Sequence, residues 1–212
     1  MTLMILCSII GFKLIYTPIG IMSGASLICP FLFLMGDIVA EVYGYKIAIN
    51  LFFLGLACKL ILVTVGCVII YLPSPSGWNH QESFNLIIGS LPKIYGYSIL
   101  GMTLSWVLNA FILTRWKYIV RGKYFWFRSI ATSGFGETIF SLVSVTLTLF
   151  GTVKSMDIPS IVIWSLSLKI IFTILFSYPI TLVVNWLKRV EDMDAYDNIS
   201  GLNPFKEAIS EN

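Results

Sequence analysis

Asp37 and Glu41 stand four residues apart in the stretch MGDIVAEVYGYK (35–46), which lies between two long apolar runs. On a helix that spacing sets both carboxylates on one face. Lys59, Glu137 and Lys169 also interrupt apolar runs. A charged side chain held in hydrocarbon costs at least about 2.5–3.5 kcal/mol, so such residues face inward and mark ligand or ion sites by default. Their chemistry is hydrogen bonding. A carboxylate accepts from paired N–H donors, and a nearby ammonium favours its ionised form in low dielectric. Counted from the span ends, Lys59, Glu137 and Lys169 lie near the midplane, with Asp37 and Glu41 nearer one membrane face. The structural alternative is mutual neutralisation: Glu41 with Lys46 or Arg128, and Glu137 with Lys169.

The elements that position these groups are membrane spans. The chain has 212 residues, 57% hydrophobic and 12% charged, about half the charged fraction of a soluble domain. Six spans are expected, making an all-α polytopic membrane protein, a six-transmembrane-helix bundle. They cover Leu3–Gly20, Ala25–Tyr43, Ile47–Leu72, Ile94–Leu113, Trp126–Phe150 and Pro159–Trp186. The first is read as a retained span, because Lys13 interrupts its apolar region and no basic residue precedes it. Residues 1–190 form the membrane domain and 191–212 a polar tail.

Arg115, Lys117, Arg121, Lys123 and Arg128 cluster between spans four and five, and Lys188 and Arg189 follow span six. By the positive-inside rule this loop and both termini are cytoplasmic. The net charge of +3 follows from that topology and does not call for nucleic acid. Cys7, Cys29, Cys58 and Cys67 form no CxxC motif and pair with no histidine. They read as small apolar side chains, giving neither a disulfide framework nor a metal site. HExxH, GxSxG and P-loop motifs are absent. Gly24-Ala25-Ser26 faintly resembles an intramembrane serine protease, but no histidine lies in a span to act as base. The expectation is a non-enzyme without cofactor.

Span five, FRSIATSGFGETIFSLVSVT (127–146), is rich in small and hydroxyl residues. It is either a helix-packing face or one wall of a polar pocket.

The stretch CPFLFLMGDIVAEVYGYKIA (29–48) resembles the signature of the queuosine precursor transporters, the vitamin uptake transporter-like family. Pro30-Phe31, Asp37, Glu41 and Val42-Tyr43-Gly44 carry the match. Phe84-Asn85, the run at 128–137, and Lys169 followed by Tyr178-Pro179 extend it over nearly the whole chain. Ser105 and Phe140 depart from it, standing where many members carry aspartates.

The resemblance implies a six-span protein of the bacterial inner membrane that imports 7-cyano- or 7-aminomethyl-7-deazaguanine. Such a ring presents an N–H and an NH2 side by side, suited to one carboxylate. Glu137 is the first choice for that acceptor, with Asp37 or Glu41 second. Asn109, Ser133 and Thr132 would add hydrogen bonds, and Tyr43, Tyr97 or Trp106 would stack on the ring. Lys59 and Lys169 would keep the carboxylates ionised, and Arg128 would pair in the membrane. The partners are then a deazapurine-like small molecule and the lipid bilayer, with a second copy of the chain and an ATPase left open. Alternatives are uptake of another vitamin-like heterocycle within an ATP-driven complex, and a non-transporting scaffold.

Overall fold

A computed structural model describes residues 1–11, 13–18, 20–150, 154 and 156–195. The chain is all-α apart from one small hairpin. In order, it forms helix α1 (Thr2–Ile10), strands β1 (Leu14–Thr17) and β2 (Gly20–Ser23), a short 3-10 turn (Gly24–Leu27), and helices α2 (Cys29–Tyr43) and α3 (Tyr45–Ile70). Helices α4 (Gln81–Ile88), α5 (Leu91–Ile119), α6 (Phe125–Phe140), a π-helical turn (Ser141–Val145), α7 (Thr146–Leu149) and α8 (Ile158–Val190) follow.

Among the described residues, four helical stretches are long and apolar enough to cross a bilayer: Tyr45–Ile70, Gln81–Ile119, Phe125–Leu149 and Ile158–Val190. At 1.5 Å per residue, α3 is about 39 Å long and α8 about 50 Å, against a hydrocarbon core of about 30 Å. Large apolar side chains such as Leu54, Ile61, Leu100, Ile171 and Leu175 point outward, whereas Asp37, Glu41, Lys59, Glu137 and Lys169 are buried. That inversion of the soluble pattern is what an apolar solvent selects, and this is a membrane-integral protein.

The first two expected spans take a different form. The helix expected over Leu3–Gly20 stops at Ile10, and the chain then forms the antiparallel β1–β2 hairpin, with Leu14 opposite Ser23 and Thr17 opposite Gly20. Pro18 has no N–H to give a helix, and Gly20 takes φ +153°, open to glycine but strained for other residues. The Thr17 hydroxyl closes the turn, donating to the Gly20 carbonyl at 2.8 Å. The second span is helical only from Cys29 to Tyr43, about 22 Å. It ends at Gly44, whose φ of +91° reverses the chain directly into α3.

The later spans agree with expectation to within a few residues. One addition is α4, a separate helix before α5 with its C-cap at Gly89. Another is the π turn that interrupts span five. Of the tail expected over 191–212, only 191–195 falls among the described residues.

A Cβ at Gly20 would lie 2.5 Å from Trp164 Cδ1 on α8. Gly20→Ala should therefore lower the thermal midpoint in detergent by roughly 2–10 °C, from strain of about 1–3 kcal/mol. A Trp164→Ala background should recover the clash but not the backbone strain. An unchanged midpoint in the single variant would remove the hairpin's role in anchoring α1 to α8.

Candidate functional site

Helix α2 carries the Asp37–Glu41 stripe on its buried face, but the two carboxylates meet different surroundings. Glu41 sits where α2, α5, α6 and α8 converge. Arg128 on α6 grips it with both ends of the guanidinium, Nη1 to Oε2 and Nη2 to Oε1, each at 3.0 Å. Lys188, in the last turn of α8, adds a bond to Oε1 at 2.8 Å. Arg128 is thus the partner weighed for Glu41, and Lys188 joins it.

Lys117, in the last turn of α5, donates to the Glu41 backbone carbonyl at 2.6 Å, to Asp194 Oδ1 at 2.6 Å and to the Ala195 carbonyl at 2.7 Å. Asp194 also pairs with Lys188 at 2.9 Å, and the Ala195 N–H donates to the Val42 carbonyl at 3.1 Å. Both lysines lie at helix C-termini, where the macrodipole favours cations. Partial burial pushes the Asp194 carboxyl up, but hydrogen bonds from Lys117 and Lys188 outweigh it and hold the carboxyl below its usual range.

Asp37, one turn earlier, is fully buried and bonds to no cation. It accepts from Asn109 Nδ2 at 2.7 Å, from Ser133 Oγ at 2.7 Å and from Ser129 Oγ. Ser129 and Ser133 are one turn apart on α6, so both hydroxyls reach one carboxylate oxygen. Asn109 and Ser133, expected as substrate donors, are thus turned to Asp37. Thr132 donates back to the Arg128 carbonyl of its own helix at 2.9 Å.

Nearer the middle of the bundle, α6 and α8 are joined by two polar rungs one helical turn apart. Thr173 donates to Glu137 Oε1 at 3.3 Å, and Lys169 Nζ donates to Ser141 Oγ at 2.9 Å. Glu137 Oε2 is buried and lacks a hydrogen-bond partner. The expected Glu137–Lys169 ion pair is not formed, because each side chain turns to a hydroxyl on the facing helix. Lys59 behaves likewise, donating to Ser98 Oγ on α5 at 2.8 Å.

Lys59 and Lys169 face a cavity of about 70 Å³, room for several waters. Its wall includes Cys7, Ser26, Cys29, Ser98, Phe140 and Ser144. The irregular backbone collects here: the hairpin, the 3-10 turn and the π turn all contribute residues. Non-helical backbone at membrane depth is tolerated where it lines such a space, and π turns often mark functional sites.

Asp37, Glu41, Asn109, Thr132, Ser133, Glu137 and Arg128 do not line this cavity, and neither do the expected stacking residues. Tyr43 lies beside Glu191. The Lys93 ammonium lies 5.8 Å from the Tyr97 ring centroid, and Trp106 stacks on Phe52 with ring centroids 5.1 Å apart. The aromatic ring in the wall is Phe140, whose centroid lies 4.8 Å from the Lys169 ammonium. Ser141 belongs to the hydroxyl-rich face read in span five, whereas Ser98 and the Cys7–Cys29 pair went unnoticed in the sequence. Serine and cysteine are common in apolar spans, and nothing local distinguishes these.

A family model described as "Putative vitamin uptake transporter" matches residues 23–184. The chain belongs to this family. The match begins inside β2 and runs through α8 to Val184, so it takes in most of the cavity wall and all the buried charges named above. No curated protein and no solved structure matched the chain.

Two predictions follow from the charges around Glu41. Arg128→Met should cost about 1–3 kcal/mol, because it leaves Glu41 Oε2 buried without its donor while Lys188 still holds Oε1, and Arg128→Met with Glu41→Met should recover most of it. Thermal unfolding in detergent reads both, and a harmless single variant would contradict the ion-pair assignment. Because the Asp194 carboxyl is depressed in the folded protein, its contribution to docking 191–195 is present above its ordinary value of 3.8 and is lost as pH falls below it. Hydrogen-exchange protection of that segment should drop below about pH 4, and Asp194→Asn should lower it at every pH.

Proposed function

We propose that the chain imports a queuosine precursor of the 7-deazaguanine class across the bacterial inner membrane. The observation that carries the reading is the mostly apolar cavity lined by Lys59 and Lys169 in a member of a vitamin uptake transporter family. A mostly apolar space with a few converging polar groups suits a small flat heterocycle. The reading takes six membrane segments over residues 1–190, the first being α1 with its hairpin and the second the 3-10 turn with α2. Both termini and the polar tail are cytoplasmic. The gathering of Lys117, Arg128 and Lys188 at one end of the bundle supports that orientation.

The substrate enters the cavity, and because Glu137 lies behind its wall, the α6–α8 seam beside the Lys169–Ser141 rung must part for the substrate's N–H and exocyclic NH2 to reach that carboxylate. The free Oε2 of Glu137 is the acceptor available for them, one helical turn from the Lys169–Ser141 rung. Asp37 has its acceptor sites filled by three donors, so its role is to hold α2 against α5 and α6. Glu41 locks the cytoplasmic end. The sequence carries no nucleotide-binding motif, and net uptake is driven by an ion gradient, by an associated ATPase, or by enzymes that consume the substrate.

Uptake in bacteria unable to make queuosine tests this reading. Cells expressing the protein and supplied with nanomolar 7-cyano-7-deazaguanine should regain queuosine in their tRNA. Glu137→Gln should reduce that recovery at least about tenfold, the loss expected when a charged hydrogen-bond acceptor is removed. Failure of the parent protein, present in the membrane, would overturn the substrate. Normal recovery with Glu137→Gln would overturn the acceptor alone.

A further inference from the structure

Among the described residues, the cavity wall holds two cations and no carboxylate. Lys59 and Lys169 are 3% and 1% exposed. Each ammonium has three N–H donors, yet each has one hydrogen-bond acceptor among the described residues: Ser98 Oγ for Lys59 and Ser141 Oγ for Lys169. Aromatic faces supply the remaining contacts, Tyr95 with its centroid 5.6 Å from Lys59 Nζ and Phe140 at 4.8 Å from Lys169 Nζ. The nearest acid along the α6–α8 seam, Glu137, lies one turn from the Lys169 rung, bonded to Thr173 and outside the wall. The ammoniums reach the cavity from α3 and α8, so donors converge on it from two directions.

We propose that Lys59 and Lys169 form a two-ammonium clamp for the electron-rich end of the transported molecule, a nitrile, carbonyl or carboxylate group, and that the cavity rejects cations. This deepens the proposed function, since it rests on the cavity being the substrate site. Charges that meet at contact distance in a space shielded from water interact strongly enough to discriminate ligands by sign. Between the two deazaguanines, the cavity selects the 7-cyano form, whose nitrile is an acceptor. It excludes the 7-aminomethyl form, whose amine is protonated and would be a third cation.

Cys7 and Cys29, with their sulfurs 3.9 Å apart, line the same cavity and report its charge without reference to any substrate. The experiment uses the full chain in membrane vesicles, with Cys58 and Cys67 replaced by serine. It compares a sulfonate-bearing methanethiosulfonate reagent with a trimethylammonium-bearing one, each rate normalised to free cysteine. The sulfonate reagent should react at least about tenfold faster, and Lys59→Gln with Lys169→Gln should bring the ratio to about one. Equal rates in the lysine-containing protein, faster reaction of the cationic reagent, or no reaction with either would each overturn the clamp.

Added 7-cyano-7-deazaguanine should slow labelling, and the 7-aminomethyl compound should not. Equal protection by both would overturn the clamp's selectivity. Anion-selective labelling without protection by either deazaguanine would sink the substrate assignment and leave the clamp standing. Normal queuosine uptake without charge selectivity would do the reverse.

Discussion

Hydrocarbon cannot solvate an ionised side chain, so each charge inside this bundle must be answered by the protein itself. The answer differs at two levels. At the end where α2, α5, α6 and α8 meet, Glu41 is matched by Arg128 and Lys188, and Lys117 ties the segment after α8 to the end of α2. Removing a member of such a cluster leaves a stranded charge, which makes it a lock. At the level of the cavity, Lys59 and Lys169 meet hydroxyls and aromatic faces, and Glu137 keeps one oxygen without a partner. Charges left with spare hydrogen-bonding capacity beside an empty space are poised for a ligand.

The fold creates that space by interrupting its helices. α1 and α2 are both too short to cross the bilayer, and among the residues that join them Gly11, Ser23, Ala25 and Ser26 line the cavity wall. The Ser23 hydroxyl donates to the Gly11 carbonyl at 3.0 Å and accepts from the Ala25 N–H at 3.4 Å, satisfying backbone that a continuous helix would have satisfied internally. On the other side, the π turn at Ser141–Val145 brings Ser141 to Lys169 and Ser144 to the Ser98 carbonyl. The long helices α3, α5 and α8 form the rigid frame around these breaks.

Much of this was legible in the sequence, for reasons particular to each residue. The spacing of Asp37 and Glu41 dictated a shared buried face, and the cost of charge in lipid dictated that Lys59, Glu137 and Lys169 point inward. The partners were less legible. Lys117 and Lys188 read as markers of orientation because they sit at span ends, and their reach into the Glu41 cluster depends on how α5 and α8 cross α2. Lys169 was open to either Glu137 on α6 or Ser141 at the start of the π turn, four residues further on, and only packing decides which one it meets. The first span misled because Leu14, Ile15, Ile21 and Met22 are as apolar as any helix. The turn signal, Thr17-Pro18 followed by Gly20, was outweighed by hydropathy. The acids drew attention as ligands because charge is costly in lipid, and the resemblance then ranked them, while the polar groups of the cavity wall are lysine, serine, threonine and cysteine side chains.

The central claim is that the ligand lies in the cavity with its acceptor end between Lys59 and Lys169. A structure of the protein with 7-cyano-7-deazaguanine bound tests it most directly. The account predicts density for the ring beside Phe140, with the nitrile within hydrogen-bonding distance of both ammoniums and the guanine-like edge toward Glu137. Density beside Asp37, or in the cavity with neither lysine in contact, would contradict it.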